Sequence, residues 1–138
     1  MARSISYTRK ISEPIDSAFE IISTYKNYKD FIPGCIDSRV ISEEGDMQIG
    51  QLEFDMFGKS YLIESKNKQS DFKLEIEQIR GPFESFKGCW SLIEKEKKTE
   101  ISFNAVFTLP FLINAVTPDS LIHKLSETII ESFIAKLS

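Results

Sequence analysis

The sequence is poor in the residues that catalysis, metal binding and covalent cross-linking require. Its 138 residues include two cysteines, Cys35 and Cys89, and one histidine, His123. The cysteines have no paired spacing, which argues against a zinc site and a disulfide framework, so both are expected to be reduced thiols. Neither has a histidine near it in the sequence, and the chain contains no serine nucleophile elbow and no glycine-rich phosphate loop. The composition therefore predicts no catalytic residues, no metal site and no enzyme activity.

Long apolar runs and an excess of basic residues are also lacking. No segment approaches the roughly 20 apolar residues that a membrane-spanning helix needs, and Met1 to Ser12 lacks the apolar core of a signal peptide. These absences predict a cytoplasmic protein. The net charge of -4, from 17 basic and 21 acidic side chains, gives no overall attraction to nucleic acid. We therefore expect no DNA partner, and we expect any RNA contact to be local.

The chain does contain enough apolar residues for a core without cross-links. Hydrophobic residues make up 41% of it and include eleven phenylalanines, which suits a compact domain of this length. No repeat, low-complexity tract or linker rich in proline or glycine divides the sequence. We expect a single domain over residues 1–138.

Periodicity predicts a protein made mainly of strands. Polar and apolar residues alternate from Ser4 to Ile11, and a period close to two returns from Ile36 to Phe107 with five breaks, which predicts one strand and then six more. Between them, Ser12 is expected to cap a helix with Pro14 in its first turn, and residues 25–31 to form a second short helix. Three sets of apolar residues are expected to share strand faces: Leu52, Phe54 and Met56; Phe72, Leu74 and Ile76; and Ile101, Phe103, Ala105 and Phe107.

A long amphipathic helix is predicted from Asp119 to Ser138, with Asp119 as its cap. Leu121, Leu125, Ile129 and Phe133 recur there at four-residue spacing. The predicted order of elements is that of an α+β helix-grip fold, in which a curved antiparallel sheet of about seven strands wraps a C-terminal helix after two short helices. Gly50, Gly58 and Gly88 are expected at bends or close approaches of the sheet.

Two segments carry a family resemblance. They are Tyr28 to Cys35, which reads YKDFIPGC, and Gly81 to Trp90, which reads GPFESFKGCW. Together they resemble the signature segments of the START-like (SRPBCC) superfamily, in particular its coenzyme Q-binding proteins and ribosome-association toxins. The family pattern has proline where this chain has Lys29, and small residues where this chain has residues 114–118. The resemblance implies a START/Bet v-like fold, and it extends to proteins described as oligoketide cyclases and lipid transporters.

The resemblance and the alternating aromatic strands lead to a first hypothesis, a non-enzymatic carrier of ubiquinone that supports respiration. It requires no cofactor, has ubiquinone as its bound ligand, and implies transient contact with a membrane. Tyr28 and Phe31 are expected to guard the entrance. The full set of expected ligand-binding residues is Tyr28, Phe31, Phe54, Phe72, Leu74, Phe86, Trp90, Phe103, Phe107, Leu125, Ile129 and Phe133.

The second hypothesis is a toxin that binds the large ribosomal subunit and blocks subunit joining, with an antitoxin as a further partner. RNA contacts would then rest on Lys26, Lys29, Lys59 and Lys136, and would weaken as salt rises. A third hypothesis is a polyketide cyclase-like enzyme, which needs only a shaped cavity with a few polar groups. The sequence leaves all three open.

Overall fold

A computed structural model describes residues 2–56 and 58–137. They form one antiparallel sheet of seven strands, in the order β1-β7-β6-β5-β4-β3-β2, and four helices. This confirms the predicted helix-grip architecture. In chain order the elements are β1 (Ala2–Ile11), α1 (Ile15–Ser23), the 3-10 helix η1 (Tyr25–Asp30), β2 (Cys35–Glu44), β3 (Met47–Met56), β4 (Lys59–Ser70), β5 (Lys73–Arg80), β6 (Ser85–Lys95), β7 (Lys98–Thr108), α2 (Phe111–Val116) and α3 (Asp119–Lys136).

Strands β2 to β7 form a meander, in which each strand pairs with the next along the chain. Two of the hairpins turn through two non-glycine residues at positive φ, Asp71 with Phe72 and Glu96 with Lys97, as tight hairpin turns require. Phe72 therefore lies just before the strand of Leu74 and Ile76, although it packs against the same core as they do, as their predicted shared face requires. Its φ is 61°, because Asp71 and Phe72 form the two-residue loop that directly follows the end of β4 at Ser70.

The concave face of the sheet is lined with aromatic and aliphatic side chains. On β6 and β7, Trp90 lies opposite Phe103 and Phe86 lies opposite Phe107. These strands alternate buried and exposed positions along most of their length, as the predicted face of Ile101, Phe103, Ala105 and Phe107 requires. Of the first predicted set, Leu52 and Phe54 pack in or against the core, whereas the side chain of Met56 lies outside the described part of the structure.

Two glycines permit close packing on this face. A Cβ at Gly50 would lie 2.4 Å from the Tyr25 ring, and one at Gly88 would lie 3.1 Å from the Phe103 ring. Real Cβ atoms do not approach other heavy atoms as closely as the first of these, so Tyr25 can lie over β3 only because residue 50 is glycine. The predicted close approaches at Gly50 and Gly88 are confirmed.

Both predicted helix caps are wrong. Pro14 is the N-cap of α1 and Pro118 is the N-cap of α3, and neither makes a side-chain capping bond. Ser12 lies two residues too early to cap α1, and Asp119 is the first residue inside α3, where its carboxylate still favours the positive end of the helix dipole. Helix α2 was not predicted, because six mainly apolar residues show no periodicity that separates a helix from a loop.

Helix α3 runs beside β1, and side chains along β1 hold it there. The Arg3 guanidinium contacts the Asp119 carboxylate at 3.2 Å, the Tyr7 hydroxyl donates to the backbone carbonyl of His123 at 3.2 Å, and the Arg9 guanidinium contacts Glu131 at 2.8 Å. The strand and the helix therefore run in the same direction. No helix in the described residues is long and apolar enough to cross a membrane.

Candidate ligand-binding site

The C-terminal half of α3 is anchored in an aromatic cluster. The ring of Phe133 lies with its centroid 5.1 Å from Tyr28, 5.0 Å from Phe31 and 4.7 Å from Trp90. The first two contacts are T-shaped, the geometry that the ring quadrupoles favour. Trp90 in turn lies 4.7 Å from Phe103. This cluster joins α3, η1 and the middle of the sheet.

The N-terminal half of α3 does not seal against the sheet. Toward the C-terminus of α3 the apolar side chains are buried, with Ile130 at 3% and Phe133 at 2% exposure. The apolar stripe of Phe133 continues at helical spacing to Ile129, Leu125 and Ile122, which are all partly exposed. A helix that packed along its whole length would bury these residues as well. We call the region between these partly exposed side chains of α3 and the concave face the chamber.

A second aromatic cluster lies at the chamber end of the sheet. Phe83 approaches Phe86 at 5.2 Å and Phe107 at 5.5 Å between ring centroids. The Gln78 side chain holds the loop of Phe83 through two hydrogen bonds, donating to its carbonyl at 2.8 Å and accepting from its N–H at 3.3 Å. Sequence reasoning missed Phe83 as a candidate lining residue, although the GPF signature contained it.

The buried polar side chains of η1 and β4 are engaged in hydrogen bonds. The hydroxyls of Tyr25 and Ser65 lie 3.2 Å apart, and Ser65 donates to the Asn67 side chain at 2.9 Å. Tyr28 donates its hydroxyl to the carbonyl of Ile22. Burial raises the pKa of Tyr25 to about 12 and raises the pKa of Tyr28 well above its ordinary value. Both phenols therefore stay neutral at physiological pH.

The two thiols are also held in their neutral form. Burial raises the pKa of Cys35 to about 11 and raises that of Cys89. A thiolate is the nucleophilic form of cysteine, so neither residue is activated for attack. Within residues 2–56 and 58–137, no group of three or more histidine, cysteine or acidic side chains is placed to hold a metal ion.

The expected ligand-binding residues fall into two groups by burial. Seven are core residues that are at most 9% exposed: Tyr28, Phe54, Leu74, Trp90, Phe103, Phe107 and Phe133. Five remain partly exposed: Phe31, Phe72, Phe86, Leu125 and Ile129. Two placements differ from expectation. Tyr28 is 3% exposed and packed beneath α3, so it does not stand at an entrance, and Phe72 packs on Phe19 of α1 at 5.6 Å.

The lysines that were expected to contact RNA all lie on the surface. Lys26 and Lys29 are exposed on η1, and Lys136 is exposed at the end of α3. Since Phe133 of α3 contacts Tyr28 and Phe31, these three lysines belong to neighbouring elements. Lys59 is exposed at the start of β4.

Several known proteins are similar to this chain. A ribosome association toxin, RatA, from Rickettsia prowazekii (strain Madrid E) is 28% identical over 115 residues, which cover 80% of this chain and 79% of the relative. TTHA0849 from Thermus thermophilus superposes with a TM-score of 0.82 at 16% identity, covering 98% of this chain and 94% of that one. The Zhui aromatase/cyclase from Streptomyces sp. R1128 superposes with a TM-score of 0.76 at 18% identity, covering 99% and 90%.

The fold is thus shared with START-like proteins, among them a START superfamily protein from Mycobacterium smegmatis with a TM-score of 0.81 at 12% identity, covering 97% of this chain and 96% of that one. The model of one family, described as polyketide cyclase / dehydrase and lipid transport, matches residues 11–134. That match spans most of the chain and includes both signature segments. The chain belongs to the polyketide cyclase / dehydrase and lipid transport family, within the START-like superfamily.

Proposed function

We propose that this protein is a non-enzymatic carrier that binds an isoprenoid quinone, ubiquinone in the first instance, in the chamber. The observation that carries the proposal is the contrast along α3, where Phe133 is buried but Ile129 and Leu125, one and two turns earlier on the same stripe, are partly exposed. A family that includes lipid transport proteins supports a hydrophobic ligand. An isoprenoid tail is an apolar chain that can fill such a space.

Burial of the tail would supply most of the affinity. At about 25 cal/mol per Å² of apolar area removed from water, 300 Å² of isoprenoid would contribute roughly 7 kcal/mol before the cost of association. The hydroxyls of Tyr7 and Tyr28 already donate to the carbonyls of His123 and Ile22. They are therefore not free to orient a polar headgroup, and the tail would be recognised more strongly than the quinone ring.

The state of the titratable groups supports binding without turnover. The buried phenols and thiols are neutral at physiological pH because burial raises their pKa values. A general base works best with a pKa near the working pH, which none of these groups has. Because an aromatase/cyclase shares the fold, turnover of a polyketide by the purified protein is the result that would replace the carrier proposal with an enzyme.

The direct test is mass spectrometry of an organic extract of the protein purified from its host without detergent. We expect quinone in a stoichiometric amount. Leu125→Asp places a charge on the chamber side of α3 and should abolish uptake, whereas Thr128→Asp makes the same change on the exposed side and should not. If Leu125→Asp takes up quinone as Thr128→Asp does, or if the extract stays empty after quinone is added, the proposal is contradicted.

Association with the large ribosomal subunit is the second candidate, and the observation that favours it is the likeness to the Rickettsia toxin. Lys26, Lys29 and Lys136 would form the contact surface. We expect the double variant Lys26→Glu with Lys29→Glu to lose co-sedimentation with the subunit, and wild-type co-sedimentation to fall as salt rises. Lys95→Glu, at the far hairpin, is the matched control. No co-sedimentation at low salt would exclude this candidate.

A further inference from the structure

Helix α2 presents an unusually exposed apolar surface. Its side chains Phe111, Leu112, Ile113 and Val116 are 79%, 77%, 52% and 79% exposed, and we call these four residues the α2 patch. Other exposed apolar residues, such as Ile41 and Ile93, lie on different strands, and single residues of this kind are common on soluble proteins. Four on one short helix form a contiguous surface.

The α2 patch also lies in a segment without charge. Residues 101–118 contain no Asp, Glu, Lys, Arg or His, although 28% of the whole chain is charged. The inward part of this segment is strand β7, where the absence of charge suits the core. The outward part is α2, where charge would improve solubility. The absence of charge there therefore points to a contact that excludes water.

Three carbonyls at the C-terminal end of α2 are hydrogen-bonded inside the protein. The Arg3 guanidinium donates to the carbonyls of Asn114 at 2.9 Å and Thr117 at 2.6 Å, and to the Asn114 side chain at 2.9 Å. The Thr117 hydroxyl donates to the carbonyl of Ile113 at 2.6 Å. The final carbonyls of a helix ordinarily need water. Here that end of α2 can enter an apolar medium without leaving these carbonyls unpaired.

Helix α2 lies at the same end of the sheet as the chamber. It follows β7 directly, and the carbonyl of Thr108 accepts a hydrogen bond from the N–H of Glu84 at 2.8 Å, so the loop of Phe83 lies at the same end. Arg3 joins α2 to the beginning of α3, because it also contacts Asp119. The partly exposed half of α3 begins there. The α2 patch therefore lies next to the partly exposed half of α3.

The size and chemistry of the α2 patch decide between occupants. Its exposed area is roughly 500 Å², below the about 800 Å² per partner of a standard protein interface. Protein interfaces also carry about one hydrogen bond per 100–200 Å², and the four side chains of the patch offer no donor or acceptor. Hydrocarbon requires only apolar area.

We propose that α2 docks on a lipid bilayer by inserting the α2 patch into its interfacial region, and that ligand passes between bilayer and chamber at this end. The docking is argued from α2 itself, whereas the passage of ligand rests on the proposed function. Attachment through four side chains on one short helix is weak and reversible compared with a spanning helix, which suits a carrier that must leave the membrane again.

Flotation with phosphatidylcholine vesicles tests the docking. We expect wild-type protein to float with the vesicles, and the double variant Phe111→Ser with Leu112→Ser to lose at least about tenfold in vesicle affinity. The matched control is Ile41→Ser with Ile93→Ser, which removes two exposed apolar side chains elsewhere and should float like the wild type. Because the patch has no charge, binding should be insensitive to salt. In Phe111→Trp, the new indole should be quenched by brominated lipid, whereas buried Trp90 in the wild type should not.

Three results would overturn the docking: wild-type protein that does not float, a double variant that floats equally well, or a wild-type dimer in sedimentation that the double variant abolishes. Binding of a short-chain quinone in solution separates this proposal from the carrier proposal. The double variant should bind it as the wild type does. A protein that binds quinone but no vesicles refutes the docking alone, and one that floats through α2 but binds no quinone refutes the carrier alone.

Discussion

A tryptophan at position 125 distinguishes an open chamber from a packed core. In a well-packed interior, a larger side chain costs about 1–3 kcal/mol in strain. Leu125 is partly exposed on the chamber side of α3, whereas Ile130, five residues later, is 3% exposed in the core. Leu125→Trp adds about 60 Å² of apolar area, which at about 25 cal/mol per Å² contributes at most roughly 1.5 kcal/mol if the space is there to accept it.

The assay is urea unfolding of the wild type and two variants. We expect the free energy of unfolding of Leu125→Trp to be equal to or above that of the wild type, and that of Ile130→Trp to fall by about 1–3 kcal/mol. Ligand uptake should fall in Leu125→Trp, because the indole occupies the space of the tail. If Leu125→Trp loses as much stability as Ile130→Trp, the N-terminal half of α3 is packed and the chamber does not exist.

Three further predictions concern Gly50, Tyr25 and Arg3. Gly50→Ala should lower the free energy of unfolding by about 1–3 kcal/mol, since its Cβ would lie 2.4 Å from the Tyr25 ring. Adding Tyr25→Leu to the same chain should restore part of the loss. If Gly50→Ala unfolds at the same urea concentration as the wild type, the close approach is contradicted. Because burial raises the pKa of Tyr25 from 10.0 to about 12, the stability that its neutral phenol contributes is complete below pH 10 and is lost as pH rises through 12. The free energy of unfolding of Tyr25→Phe, measured by urea titration, should therefore fall less steeply with rising pH in this range than that of the wild type. An equally steep fall would contradict the raised pKa. Arg3→Lys should release the end of α2, because one ammonium cannot replace the three hydrogen bonds from Arg3 to residues 114 and 117. Hydrogen exchange at the amide of Thr117 should then be faster than in the wild type. Exchange at the wild-type rate would show that Arg3 does not hold α2.

Sequence patterns predicted most of the fold because strand periodicity and hairpin breaks are local signals. All seven strands and the terminal helix followed from them. The caps were mispredicted because Pro14 and Pro118 take positions that serine and aspartate prefer. A preference for capping is weaker than the fixed φ of proline.

The site was harder to predict, because alternation shows which side of a strand a residue faces but not whether that side is filled. Tyr28 was expected at the entrance, but its hydrogen bond to Ile22 permits full burial. Phe83 was missed because a residue in a loop has no periodicity to mark it. The exposure of α2 depends on tertiary packing, and apolar composition alone predicts the opposite.

The pairing of β1 with β7 has a consequence for how the chain is made. Ala2 lies opposite Thr108 and Ile11 opposite Thr99, so β1 has no partner in the sheet until about ninety residues more have been synthesised. At roughly 5–20 residues per second, that interval is on the order of 5–20 seconds. During it, the unpaired backbone of β1 is open to pairing with other chains. We expect the ribosome exit region and its chaperones to shield this strand until β7 emerges, so the rate of translation from β1 to β7 sets how long a nascent chain is vulnerable to aggregation.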